Sequence, residues 1–281
     1  MPGEKIKHPM ETYFNGATPF FASRADQRFS YCLYIPRRQP GDPERYPLIV
    51  VQHGTARTAA RYRDSFREFC DVHRCVLMAP LFPATIDTPG DMHGFKFLAY
   101  DGLRFDLILL AMVDEVATRF PVRGDKFLFY GFSGGGQFAH RFLYLHPERL
   151  HAVTIGAPGR ITQLDDSLTW WLGTGGMADI FGQSPDVAAI RAVDIQFVVG
   201  EQDTETWEIN NPGDSNWMDG VELTGSTRVE RLRTLERSFA ANGISVRFDT
   251  VPGGAHSGFG VRPAVDPFLA DALAKFPAEP G

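Results

Sequence analysis

Residues 126–137 read Lys-Phe-Leu-Phe-Tyr-Gly-Phe-Ser-Gly-Gly-Gly-Gln, and this stretch decides the fold. After Lys126, Phe127-Leu128-Phe129-Tyr130 complete a strand-length run of continuous apolar character, the signature of a strand buried on both faces of a parallel sheet. The glycines that follow cannot extend a strand comfortably, and residues 135–145 take up a helical period. A strand therefore turns sharply into a helix at Gly131-Phe132-Ser133-Gly134-Gly135, which fits G-x-S-x-G. Small residues two before and two after the serine let strand and helix approach closely. Such a turn lifts the Ser133 hydroxyl out of the sheet. It also presents the Gly134 N–H at a helix N-terminus, where an oxyanion is favoured. With 28 glycines and 11 serines in 281 residues, the motif alone could arise by chance, so its setting has to support it.

Working outward, similar runs recur at residues 28–35, 48–52, 75–79, 151–155, 195–199 and 246–251. The first reads as an edge strand paired with residues 18–22. Helical periods separate the others at 58–73, 105–120, 135–145, 226–241 and 266–275. Ser226 and Asp266 are the expected N-caps, and Gly243 the expected stop. Strand–helix alternation along the chain predicts an α/β fold: a mostly parallel central sheet flanked by helices on both faces. Residues 1–281 read as one domain, with a small cap insertion at 160–190. A second irregular stretch, 204–224, carries Trp207 and Trp217.

A serine hydroxyl becomes a nucleophile when a histidine takes its proton. Among eight histidines, His256 lies in a glycine-rich loop directly after the last strand, where α/β sheets place their chemistry. The imidazole in turn needs a carboxylate to fix its tautomer. Asp203 follows the strand at 195–199 and precedes His256 in the chain; Glu201 and Glu205 are its rivals. After the strand at 48–52, His53-Gly54-Thr55 offers a backbone N–H to complete an oxyanion hole with Gly134. Thr55 is the first choice and Ala56 the second, with His53 as a brace for the loop. The same glycines also fit a loose dinucleotide fingerprint, but the next strand ends without the acidic residue it requires. No Gly-Lys-Ser/Thr follows, which excludes a P-loop.

His53-Gly54, Gly131-Phe132-Ser133-Gly134-Gly135 and the order Ser133, Asp203, His256 together resemble the α/β-hydrolase superfamily. Within it the chain looks most similar to bacterial single-domain esterases of the polyhydroxybutyrate-depolymerase and feruloyl-esterase kind. The resemblance implies a serine hydrolase that cleaves a carboxylic ester through an acyl-enzyme, with Ser133 as nucleophile, His256 as base and Asp203 orienting it. The same triad also serves amides, thioesters, lactones and C–C bonds next to a carbonyl, and the fold also hosts non-catalytic binders. No cofactor or metal is implied. The stretch at 160–190 follows the strand where this family inserts its cap, so Trp170, Trp171, Met177 and Phe181 become candidates for an apolar acyl pocket. The expected partner is then a small-molecule ester with an apolar or aromatic acyl group.

Composition narrows the remaining classes. The formal charge of −6 and the lack of a basic run argue against nucleic acid as a partner. No segment approaches the length of a membrane span, and the first residues hold no apolar run fit for a secretory leader. The expected location is therefore cytoplasmic, and a homo-oligomer is compatible with the sequence. Cys32, Cys70 and Cys75 are too few and too irregular for a disulfide framework and read as buried thiols.

Overall fold

The computed structural model describes residues 14–206, 212–213 and 216–276. Two short strands, β1 (Gly16–Ala17) and β2 (Phe21–Ala22), both pair antiparallel with β3 (Ser30–Ile35). Then come β4 (Leu48–Gln52), α1 (Ala59–Ser65), α2 (Arg67–His73) and β5 (Val76–Leu81). A small hairpin, β6 (Ala99–Tyr100) and β7 (Leu103–Arg104), leads into α3 (Phe105–Arg119). The centre of the chain is β8 (Phe127–Phe132), α4 (Gly134–Leu145) and β9 (Leu150–Gly156). A long connection carrying α5 (Met177–Phe181) and α6 (Val187–Ile190) reaches β10 (Asp194–Gly200). The chain closes with α7 (Arg228–Ala241), β11 (Arg247–Val251) and α8 (Arg262–Ala274).

The main sheet has the order β1-β3-β5-β4-β8-β9-β10-β11. From β5 to β11 every pairing is parallel, and β3 joins β5 antiparallel. The buried runs read from the sequence are these strands, displaced by a residue or two. One expectation changes: β3 is not the edge, because β1 and β2 cover its outer side.

Layering follows from the period of two along a strand. Phe129 packs on Phe138 and Phe142 of α4, with ring centres 6.0 and 5.3 Å away. Its neighbour Tyr130 points to the opposite face and packs on Tyr62 of α1, at 6.2 Å, and on Phe66, at 5.9 Å. The α4 layer continues into α7 through Tyr144 and Phe239. The α1 layer continues into α8, where Arg262 donates to the Ser65 carbonyl and covers the Phe66 ring. A buried polar ladder stitches the far side of the sheet: Thr154 donates to Gln196, which donates to Asp249 and to the Ala264 carbonyl.

Three helix boundaries depart from the sequence reading. The 58–73 helix breaks at Phe66, where the bend turns that fully buried ring into the core. Thr227, not Ser226, caps α7, because Thr227 and Glu230 close a reciprocal capping box. The last helix starts at Arg262 with Pro263 in its first turn, so Asp266 is no cap and instead pairs with Arg262 one turn away. All three cysteines are buried and unbridged.

The strand order reverses between β4 and β8. Open α/β sheets bind ligands at such a switch point, outside the carboxyl ends of the strands. The backbone approach there is very close. A Cβ on Gly131 would stand 2.1 Å from the Gly135 carbonyl oxygen, on Gly135 2.4 Å from that of Gln52, and on Gly136 2.3 Å from that of Gly156. A methyl at Gly136 meets fixed backbone rather than a yielding side chain. Gly136→Ala is expected to lower Tm by about 3–5 °C, the scale of a 2–3 kcal/mol overpacking cost in a domain of this size. Differential scanning calorimetry checks this.

Candidate active site

Ser133 stands between β8 and α4 with φ 57° and ψ −117°, a conformation rarely adopted by a residue with a side chain. The surroundings hold it there. Its N–H donates to the Gly156 carbonyl at 2.8 Å, and its own carbonyl accepts from Gln137 at 3.0 Å. The loop after β4 closes on it from the side: a Cβ on Gly54 would lie 3.6 Å from Ser133 Cβ and 3.7 Å from the Gly134 nitrogen. Thr55 N lies 3.1 Å from where a Gly134 Cβ would stand. The Thr55 nitrogen thus lies close beside Gly134, the residue after the serine.

Asp203 and His256 come from two loops that are zipped together. The Gln202 N–H donates to the Gly254 carbonyl at 2.7 Å, and Glu201 N–H to that of Val251 at 3.0 Å. Gly200 lies so close that a Cβ would meet the Gly254 oxygen at 2.3 Å. The outcome is a short bond from His256 Nδ1–H to Asp203 Oδ2, 2.6 Å long. Asp203 is fully buried, while the His256 side chain is 27% exposed. With Nδ1–H committed to a carboxylate, the lone pair of this imidazole sits on Nε2. The His256 ring packs 4.9 Å from the ring of Phe132, the residue before Ser133. Of the rival carboxylates, Glu201 accepts from the Gly253 N–H, while the Glu205 backbone carbonyl accepts from Arg228.

Four cations that the sequence reading passed over shape this region. Arg228, buried at the start of α7, approaches the second oxygen of Asp203 at 3.4 Å. Arg57 donates to the Thr55 and Met92 carbonyls and lies over the Phe95 ring, which fixes the loop after β4. Lys96 is 2% exposed; its Cε lies 2.9 Å from the ideal Gly134 Cβ position, and its ammonium bonds His93 Nδ1 at 2.6 Å. Arg141 is fully buried and donates to the Lys96 carbonyl and to Thr162 Oγ1. Its guanidinium also lies 4.7 to 5.9 Å from the ring centres of Phe97, Trp170 and Trp171.

The four apolar pocket candidates sit in two places. Trp171 packs on Phe97 beside Val221, next to Lys96. Trp170 meets Phe181 edge-on, and Phe181 and Met177 are buried in the main core. Trp217 is 40% exposed, and Trp207 lies outside the described residues. Two surface clefts, of about 560 and 630 Å³, are lined by Asp114, Arg123 and Arg149 and by Leu164, Ser238 and Asn242, and neither includes Ser133, Asp203 or His256. Among the described residues, no helix is long and apolar enough to cross a membrane.

This architecture is the α/β-hydrolase fold. No family model matches the sequence, and no curated protein matches it. Solved structures do. Poly(aspartic acid) hydrolase-1 from Sphingomonas sp. KT-1 superposes with a TM-score of 0.73 at 20% identity, over 90% of this chain and 98% of that one. A poly(3-hydroxybutyrate) depolymerase from Bordetella parapertussis gives 0.67 at 24%, over 88% and 87%. An S-formylglutathione hydrolase from Agrobacterium tumefaciens gives 0.63 at 15%, over 92% and 94%.

Two histidines at this end of the sheet are buried as neutral bases. His53 accepts the Phe82 N–H at Nε2 and donates from Nδ1 to the Gly54 carbonyl, and burial drives its pKa down to about 3. His140 accepts from Thr162 and donates to Gly136, and burial pushes it well below the usual imidazole range. Both bind a proton more readily in the unfolded chain, where the pKa is about 6.5, so their stabilisation is present above that pH and lost as pH falls. The urea midpoint is expected to drop between about pH 6.5 and 4. Each histidine contributes a slope of up to about 1.4 kcal/mol per pH unit. Equilibrium urea titrations at pH 7, 6, 5 and 4 measure it.

Proposed function

We propose that this protein is a serine hydrolase that cleaves carboxylic esters of small molecules through an acyl-enzyme. The observation that carries the proposal is the 2.6 Å bond from His256 to the buried Asp203, with the His256 ring packed on Phe132 beside the strained turn that holds Ser133. His256 Nε2 takes the Ser133 proton as the oxygen attacks the ester carbonyl. The carbonyl oxygen becomes an oxyanion that accepts hydrogen bonds from the Gly134 and Thr55 N–H groups. His256 then returns the proton to the departing alcohol, and Asp203 stabilises the transient imidazolium. Water repeats the sequence on the acyl-enzyme and releases the acid. No metal or organic cofactor enters these steps.

The neighbours in fold support this reading. They include a poly(3-hydroxybutyrate) depolymerase, a ferulic acid esterase and fluorophosphonate-binding serine hydrolase F from Staphylococcus aureus. A fluorophosphonate probe is expected to label the wild-type protein and not Ser133→Ala. With 4-nitrophenyl butyrate, Ser133→Ala is expected to lose roughly 10⁵-fold in kcat, and Asp203→Asn about 10⁴-fold by favouring the wrong imidazole tautomer. Labelling of Ser133→Ala equal to wild type would remove the reading.

A further inference from the structure

The two carboxylate oxygens of Asp203 have different partners. Oδ2 accepts the His256 Nδ1–H at 2.6 Å, and Oδ1 accepts from Arg228 Nη1 at 3.4 Å. The same Nη1 donates to the Glu205 carbonyl, just past Asp203 in the chain, at 3.5 Å. Water is shut out of the contact: the Asp203 side chain is fully buried and that of Arg228 is 5% exposed. Among the described residues, Arg228 is the fixed positive charge on this carboxylate.

The helix that carries Arg228 does not favour it there. Arg228 is the first residue of α7, where the helix N-terminus already makes the potential positive. Arg231, buried one turn further on, repels it, and Arg228 Nε has no hydrogen-bond partner among the described residues. What offsets these costs is Asp203, and a carboxylate out of water needs a partner of its own in turn. The other charged and titratable groups around the pair are placed differently. Glu201 and Glu205 are exposed, and Glu230 closes the α7 capping box. On the α1 side, Arg61 lies over the Phe259 ring, and burial keeps Tyr62 neutral. Lys96 flanks Gly134 with its ammonium on His93 Nδ1.

Building on the esterase reading, we propose that Arg228 is a positioning residue for the reaction: it holds Asp203 as an anion with Oδ2 turned to His256, and its charge keeps the pair free of a bound proton at rest. With Arg228 in place the buried carboxylate is balanced, and the imidazole is open to the Ser133 proton. Without it, an unbalanced negative charge sits beside His256. The pair then takes up a proton at higher pH, whichever of the two groups carries it. A pair that already holds this proton cannot act as a base.

The test is the acid limb of two pH profiles, kcat/KM for 4-nitrophenyl butyrate and the rate of fluorophosphonate labelling, in wild type, Arg228→Met and Arg228→Lys. In Arg228→Met both limbs are expected to move to higher pH by about one unit, the scale of one charge a few ångströms from a titrating pair. Arg228→Lys keeps a cation and is expected to bring most of that shift back. An arginine that serves packing alone would lower Tm and leave the limbs in place. A folded Arg228→Met with unshifted limbs therefore overturns the positioning role and leaves the esterase reading standing. If Arg228→Met does not fold, the carboxylate left alone is the expected cause, and adding Asp203→Asn to it should restore folding. A double variant that also fails to fold, where Asp203→Asn alone folds, overturns the proposal. A wild type that neither turns over the ester nor takes the probe overturns the esterase reading and the positioning role with it.

Discussion

Everything at the carboxyl end of the sheet depends on backbone lying against backbone around Ser133. Gly131, Gly135 and Gly136 occupy places where a single methyl would collide with the carbonyls of Gly135, Gln52 and Gly156. These contacts bring β4, β8, β9 and α4 together within the width of a peptide. They also hold Ser133 in a conformation that costs of order 1–3 kcal/mol, because the strand, the helix and the Gly156 bond over-determine it. If this approach loosens, the serine relaxes and the Gly134 amide turns away from Thr55.

The second constraint is the zipper between the β10 and β11 loops. Asp203 and His256 are 53 residues apart, yet two backbone bonds, the Gly200–Gly254 contact and one short side-chain bond bring them together. Arg228 closes the far side of Asp203. The arrangement resembles a metal ligand and its outer partner: a partly exposed imidazole is held in one orientation by a second, wholly buried group.

The sheet was readable because strands buried on both faces leave continuous apolar runs, such as 48–52 and 126–130. The Ser133 turn was readable because only glycine tolerates such approach. The Asp203–His256 contact follows from strand ends, since both residues stand just past neighbouring parallel strands. The cations were not readable. Lys96, Arg141, Arg160 and Arg228 look in sequence like ordinary surface residues, and only tertiary packing buries them. No local period marks that. Helix starts failed for a smaller reason: adjacent Ser226 and Thr227 can each cap, and only the position of Glu230 chooses between them.

Arg141 carries one consequence further. Its guanidinium holds the Lys96 carbonyl, Thr162 in the connection after β9, Phe97 and the two tryptophans at once. Thr162 extends the tie by donating to the Trp171 carbonyl. Phe97, Trp170 and Trp171 are therefore held as one block around Arg141 rather than as separate side chains. Substitutions at Phe97, Trp170 and Trp171 share a common hub, so their effects should not add. A change in any one of these rings is felt by the others through a single arginine.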